Sequence, residues 1–173
     1  FYFNLSKAEV AEMELSVERR FSKMLEEIVR SKDNVRIMEL FKQMVKDGML
    51  NHLTAERVWK ETKKALTEKY NSSKYFELLN ECGALELLFP EIYALVNTPE
   101  NPKYHPSENT FKHTMIALTH CKDESLYVKF SVLVHDLGKG NTPKNILPKH
   151  NGHDERGLPL IESLCTRLKV SND

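Results

Sequence analysis

Several features are missing from this sequence, and each absence narrows the reading. No segment alternates apolar and polar residues as a half-buried strand requires, so no sheet is expected. No run of 18 apolar residues occurs, nor any signal-peptide pattern, which points to a soluble, cytoplasmic protein with no membrane contact. Neither sign of charge dominates: Lys plus Arg and Asp plus Glu are both 25, so the broad basic footprint of a nucleic-acid binder is absent. Any contact with RNA must be local, through positions such as Lys103, Lys139, Lys144 and Lys149. The three cysteines, Cys82, Cys121 and Cys165, form no CxxC pair and stand far apart in apolar surroundings, which suits reduced core thiols. There is no internal repeat and no low-complexity segment. The chain opens on FYFNLSK without Met and closes soon after a helical stretch, so it reads as a piece of a longer protein.

Helical periodicity is what remains, and it covers most of the 173 residues. Val10, Met13, Val17, Phe21, Met24, Leu25 and Ile28 recur every three or four positions, predicting one long amphipathic helix. Val35, Met38, Phe41, Met44 and Val45 predict a second, halted by Gly48 as a left-handed cap. Thr54 is placed to cap a third, with Glu56 in its first turn and Val58, Thr62, Ala65 and Leu66 on one face. Asn71, Ser72 and Ser73 break that helix, and a shorter one runs from about Ser73 to Cys82, ended by Gly83. Three prolines between Asn97 and Asn109 predict a loop and a boundary, giving an all-α chain divided into a helical region 1–96 and a second helical region 97–173. In the second region Thr110 is expected to cap a helix holding His113, Gly138 to stop the helix that ends at His135 and Asp136, and Pro159 to bend a last helix from about Asp154 to Lys169.

The segment FSVLVHDLGKG, residues 130–140, carries the main functional signal. Its apolar run should be buried where His135 and Asp136 emerge, and a buried carboxylate needs a metal ion, a cation or a hydrogen-bond network. Adjacent residues within a helix point about 100° apart, so they seldom share one ligand, whereas at a helix end both can reach it. His113, one helix earlier, can complete a three-residue face. Imidazole and carboxylate together suit a divalent transition metal such as zinc, manganese, iron, nickel or cobalt. Read alone, His135 would more often be a satisfied core or helix-end histidine; beside Asp136, His113 and the KHNGH segment, a metal or phosphate site is the better reading. His52, His105 and His120 default to structure or surface, with His105 a weaker candidate because it precedes the site helix. Trp59 reads as core, and Lys63 with Lys64 as a solvated helix face.

His113, the pair in VLVHDLGK and the later histidines resemble the HD superfamily of metal-dependent phosphohydrolases. HLTAERVWKE, CGALELLFPEI, YHPSENTFKHT, HDLGKGNTP and KHNGHDERG resemble, more narrowly, the bacterial CCA-adding tRNA nucleotidyltransferases that carry a C-terminal HD domain; the resemblance covers roughly residues 50–173 well and the first third more weakly. It implies a helical neck and body over 1–96 and the N-terminal part of an HD phosphohydrolase domain over 97–173. The implied activity is hydrolysis of 2′,3′-cyclic phosphates, 2′-nucleotides and other phosphoesters in tRNA 3′-end maturation and repair. The implied metal ligands are His113, His135 and Asp136, for Mg, Ni, Mn or Co. Lys139 would neutralise phosphate charge, and His150 and His153 would bind phosphate or protonate the leaving alkoxide. Partners would be the tRNA 3′ end and a phosphoester or cyclic nucleotide, and a homodimer is compatible with the pattern.

Two departures from that family stand in the sequence. The nucleotidyltransferase head, with its Gly-Ser turn and paired metal-binding aspartates, has no counterpart, so this stretch alone is not expected to add CCA. The family's distal Asp on a later helix is also missing, Asp173 not being at that place, and an incomplete ligand set should weaken metal binding. The alternatives are a stand-alone HD nucleotidase, which the long helical first half disfavours, and a non-catalytic helical tRNA-binding scaffold.

Overall fold

A computed structural model describes residues 7–30, 35–67, 72–101, 103 and 108–170 of the chain. The three- and four-residue recurrence is realised as α1 (Lys7–Arg30) and α2 (Val35–Lys46), which pack together through Val17, Phe21 and Leu25 on one side and Met38, Phe41 and Met44 on the other. The Phe21 and Phe41 ring centres lie 5.7 Å apart. Burying each such ring contributes roughly 1.5–3 kcal/mol. The side chains of Val10, Met13 and Ile28 lie outside the described residues. Gly48, at φ 68°, has the left-handed backbone read from the sequence. α3 (Ala55–Thr67) starts as expected at Thr54, whose hydroxyl accepts a hydrogen bond from the Arg57 N–H at 3.3 Å.

The expected break at Asn71 lies outside the described residues, and the next helix opens at Ser72, one residue before the expected start at about Ser73. That helix, α4 (Ser72–Glu81), leads through Gly83 at φ 81° into α5 (Ala84–Leu88) and α6 (Pro90–Tyr93). A single-turn 3₁₀ segment, Ala94–Asn97, then brings the chain to the proline-rich loop. Lys64, read as solvated, forms an ion pair with Glu26 of α1.

The second region is α7 (Thr110–His120), α8 (Leu126–Val134), a 3₁₀ turn at Leu137–Asn141 and α9 (His153–Arg167). Two capping expectations are corrected here. Asn109, not Thr110, caps α7: its side chain accepts from Lys112 N–H at 2.8 Å, while Thr110 is already helical and its hydroxyl turns back to the Thr98 carbonyl. Gly138 is not a left-handed stop; α8 ends at Val134, and Gly138 lies inside the following turn, buried against α9. A β-carbon on Gly138 would fall 1.8 Å from the His153 carbonyl oxygen and 2.5 Å from the Gly157 nitrogen, so the residue is small because two backbones meet there. Pro159 sits within α9, which continues past it.

No strand occurs among the described residues; the sole β feature there is an isolated bridge between Pro99 and Asn109. The fold is therefore all-α. α4 packs on α7 and α3 on α8, where Trp59 meets Phe130 edge to face at 5.7 Å, so the helix that delivers the HD pair is buttressed from the first region. Among the described residues no helix is long and apolar enough to cross a membrane, and Cys82, Cys121 and Cys165 are all free thiols.

Candidate metal centre

α8 presents the pair at its C-terminal end because nothing continues the helix beyond Val134. His135 still has helical backbone angles, whereas Asp136 leaves them, at φ −106° and ψ 10°. The two side chains consequently part company. Asp136 is 3% exposed; His135 reaches the surface, contrary to the expectation that both emerge in a buried setting.

Three imidazoles surround the Asp136 carboxylate. His135 Nε2 lies 3.1 Å from Oδ2, His113 Nε2 lies 3.8 Å from the same oxygen, and His153 Nε2 lies 3.4 Å from Oδ1. The rings of His135 and His153 are each fixed by their other nitrogen. His135 Nδ1 meets the Val132 carbonyl at 2.7 Å, and His153 Nδ1 meets the His150 carbonyl at 2.9 Å. A carbonyl can only accept, so both Nδ1 atoms carry the proton and both Nε2 atoms are left as lone-pair donors when the rings are neutral. Lone pairs facing a carboxylate repel it unless a proton or a cation lies between them.

The charge balance follows the same geometry. Hydrogen bonding to Asp136 pushes the His135 pKa up, more than burial pushes it down. Burial by itself pushes the Asp136 carboxyl up. Hydrogen bonding and charge from His135 and Lys139 outweigh it and hold the group below the ordinary carboxylate range. Lys139 Nζ stands 2.9 Å from Asp136 Oδ2 and 3.0 Å from Glu100 Oε1, with Lys139 7% and Glu100 5% exposed. The sequence placed Lys139 next to phosphate; the structure places it between two buried carboxylates. Despite these short ionic distances, buried Asp136 Oδ2 has no hydrogen bond of proper direction among the described residues. The distances account for the carboxylate's charge, and the poor directions leave a lone pair uncommitted.

The donor set fits a divalent cation. His113, His135 and Asp136 each offer one ligand atom within 4.8 Å of the others. Ligands bound about 2.1 Å from one ion stand about 3.0–3.5 Å apart; the His135–Asp136 separation of 3.1 Å falls in that range, and the His113–Asp136 separation of 3.8 Å lies just beyond it. Beside this cluster a cavity of about 440 Å³ is lined by Glu100, Asn101, Lys139, Lys149, Asn151 and His153, among others.

His150 does not reach the carboxylate. It is 9% exposed and both of its ring nitrogens are bonded within the protein: Nδ1 to the Thr142 hydroxyl at 2.7 Å and Nε2 to the Pro99 carbonyl at 2.9 Å. His105 lies outside the described residues. Sequence reasoning missed Glu100, Thr142 and Arg156. Arg156 was within reach, since it stands in the HNGHDERG segment; Glu100, 39 residues from Lys139, gave no local signal.

Comparison with known proteins bears on the same residues. A stretch of 138 residues, 79% of the chain, is 49% identical to a protein named Multifunctional CCA protein from Shewanella denitrificans, and the protein of that name from Tolumonas auensis gives the same figures. Over that stretch the chain is homologous to the multifunctional CCA proteins. A window of that length takes in about residues 37–137 wherever it starts, and so contains His113, His135 and Asp136. The match covers 33% of each of these CCA proteins, so the chain spans about a third of their length. A family model described as phage tail assembly chaperone also matches, over residues 1–86. The two matches overlap, being together longer than the chain, and they disagree. We give weight to the CCA proteins, whose match is longer and reaches the candidate site, whereas residues 1–86 contain none of it. No solved structure matches the chain.

Proposed function

We propose that the chain is the neck, body and HD part of a CCA-adding tRNA nucleotidyltransferase, with residues 1–96 as neck and body and 97–173 as the N-terminal part of a metal-dependent phosphohydrolase domain. The observation that supports this most is the convergence of three imidazole Nε2 atoms on one buried carboxylate.

His113, His135 and Asp136 would hold the cation, the two anchored Nδ1–H groups of His135 and His153 keeping the lone pairs turned toward the carboxylate. When bound, a divalent cation supplies polarisation of a phosphoryl oxygen and acidification of a water, so that attack proceeds near neutral pH. Lys139, at the wall of the cavity, offsets phosphate charge while Glu100 keeps its ammonium group in place. Of the two loop imidazoles, His153 is the one with a nitrogen on the Asp136 side, and in its imidazolium form, with a proton on Nε2 as well as Nδ1, it is assigned the proton delivered to the leaving alkoxide. The substrates on this reading are 2′,3′-cyclic phosphates, 2′-nucleotides and other phosphoesters, the macromolecular partner is the tRNA 3′ end, and the setting is the cytoplasm.

The test is hydrolysis of 2′,3′-cyclic AMP by the whole protein with added nickel or manganese. Asp136→Ala should lower turnover by at least about 100-fold, the upper range for disturbing a metal site, while circular dichroism stays helical and CCA addition persists. Turnover close to wild type in that variant would refute the ligand assignment. One observation favours a second reading: Lys139 Nζ already neutralises Asp136, as it would in a metal-free tRNA-binding scaffold. Metal analysis of the whole protein and of Asp136→Ala, both dialysed against nickel, separates the two, because in the scaffold the substitution would not lower the nickel retained.

A further inference from the structure

His150 takes part in a hydrogen-bond chain whose direction is fixed at both ends. Arg156 Nη2 lies 3.2 Å from the Thr142 hydroxyl, that hydroxyl lies 2.7 Å from His150 Nδ1, and His150 Nε2 lies 2.9 Å from the Pro99 carbonyl. A guanidinium can only donate and a carbonyl can only accept. Arg156 therefore donates to Thr142 and His150 donates through Nε2–H to Pro99; in a neutral ring Nδ1 is then bare and accepts from the Thr142 hydroxyl. The carbonyl thereby fixes a proton on Nε2, and both ring nitrogens are engaged within the protein.

The chain also joins three pieces of backbone. Pro99 adjoins Glu100, which holds Lys139; Thr142 follows the 3₁₀ turn that contains Lys139; and Arg156 lies in the first turns of α9, near His153. Arg156 adds two further ties, from Nε to the Gly138 carbonyl at 3.3 Å and from Nη1 to the Asn151 carbonyl at 2.8 Å. The backbone oxygen of His150 itself receives the Nδ1–H of His153.

We infer that His150 is a positioning residue, a neutral strut that with Thr142 and Arg156 sets Glu100, Lys139 and His153 around Asp136, and that it does not transfer protons or bind phosphate. The inference rests on the phosphohydrolase reading for its functional consequence, but the state of the ring can be measured without turnover. A general acid contributes about 100-fold or more, whereas a strut can be replaced by any side chain that keeps its bond. Gln places an amide N–H near the position of Nε2 and cannot shuttle a proton.

Two measurements on the whole protein decide it. In ¹⁵N-histidine NMR, with the signal assigned by its loss in His150→Gln, His150 should show a protonated Nε2 and a bare Nδ1 at neutral pH, unchanged by inorganic phosphate. In the cyclic-phosphate assay His150→Gln should stay within about threefold of wild-type kcat and His150→Ala should fall about tenfold or more, both far from the general-acid range. An imidazolium or Nδ1–H ring, a phosphate-induced shift at His150, a Gln variant as impaired as the Ala variant, or an Ala variant as active as wild type would each overturn the inference. Absence of turnover in the wild-type protein would defeat the phosphohydrolase reading instead, and the ring signal would still decide the strut.

Discussion

Two backbone carbonyls govern the candidate site. Because Val132 and His150 accept from the Nδ1 atoms of His135 and His153, the nitrogens nearest Asp136 are lone-pair donors in the neutral rings. His113, His135 and Asp136 were legible in the sequence because metal-ligating types in that order have few other uses next to a helix end. Glu100 was not, since a lone carboxylate among prolines reads as a solvated loop charge until the fold brings Lys139 to it. The same scale gives a prediction away from the site. Burial pushes the Cys82 thiol up to about 11 from its ordinary value of 9.0, so the native state keeps it protonated. A raised folded pKa contributes stability that is complete below the unfolded value and is lost as pH rises through the folded one, here between 9 and 11. Thiol titration with a chromogenic disulfide at pH 8 should find Cys82 unreactive in native protein and reactive in urea. Fast native reaction of all three thiols would contradict the burial.

Helix identity and order followed from periodicity, but the reasons given for individual boundaries were less secure. Gly48 ends its helix as a left-handed residue, as read; Gly138 looked equivalent and is not. A sequence shows that a position must be glycine-like without showing whether torsion or a neighbouring backbone demands it, and here the neighbour is α9, contacted through residues 15 and 19 positions further on. That distinction sets the expected cost. In Gly138→Ala the new methyl group meets the His153 carbonyl and the Gly157 nitrogen, which are backbone atoms and cannot swing aside. The Lys139 turn must lift from α9, and overpacking of this sort costs about 1–3 kcal/mol or more. Gly140→Ala, whose β-carbon would meet the Ala94 side chain at 3.0 Å, should cost less. Thermal melts of the two variants check the order, and equal melting temperatures would show that the Gly138 contact yields easily.

Taken as a whole, the molecule joins its two regions by packing α3 and α4 on α8 and α7, so the first region supports the helices that carry His113, His135 and Asp136. The all-α class was legible because no competing period exists in the sequence. The closure of the site by Pro99, Glu100 and α9 was not, because hydrogen bonds such as His150 to Pro99 span 51 residues and leave no periodic trace. Homology to the multifunctional CCA proteins places the three ligand candidates within a matched stretch, yet the claim that they hold a cation stands on the geometry of one carboxylate and its imidazoles. The most direct test is pulsed electron paramagnetic resonance of manganese added to the whole protein. Bound manganese should show coupling to imidazole nitrogen, reduced in His113→Ala and in His135→Ala and lost in Asp136→Ala. Manganese that shows no nitrogen coupling, or whose nitrogen coupling is unchanged in Asp136→Ala, would contradict the assignment of this centre.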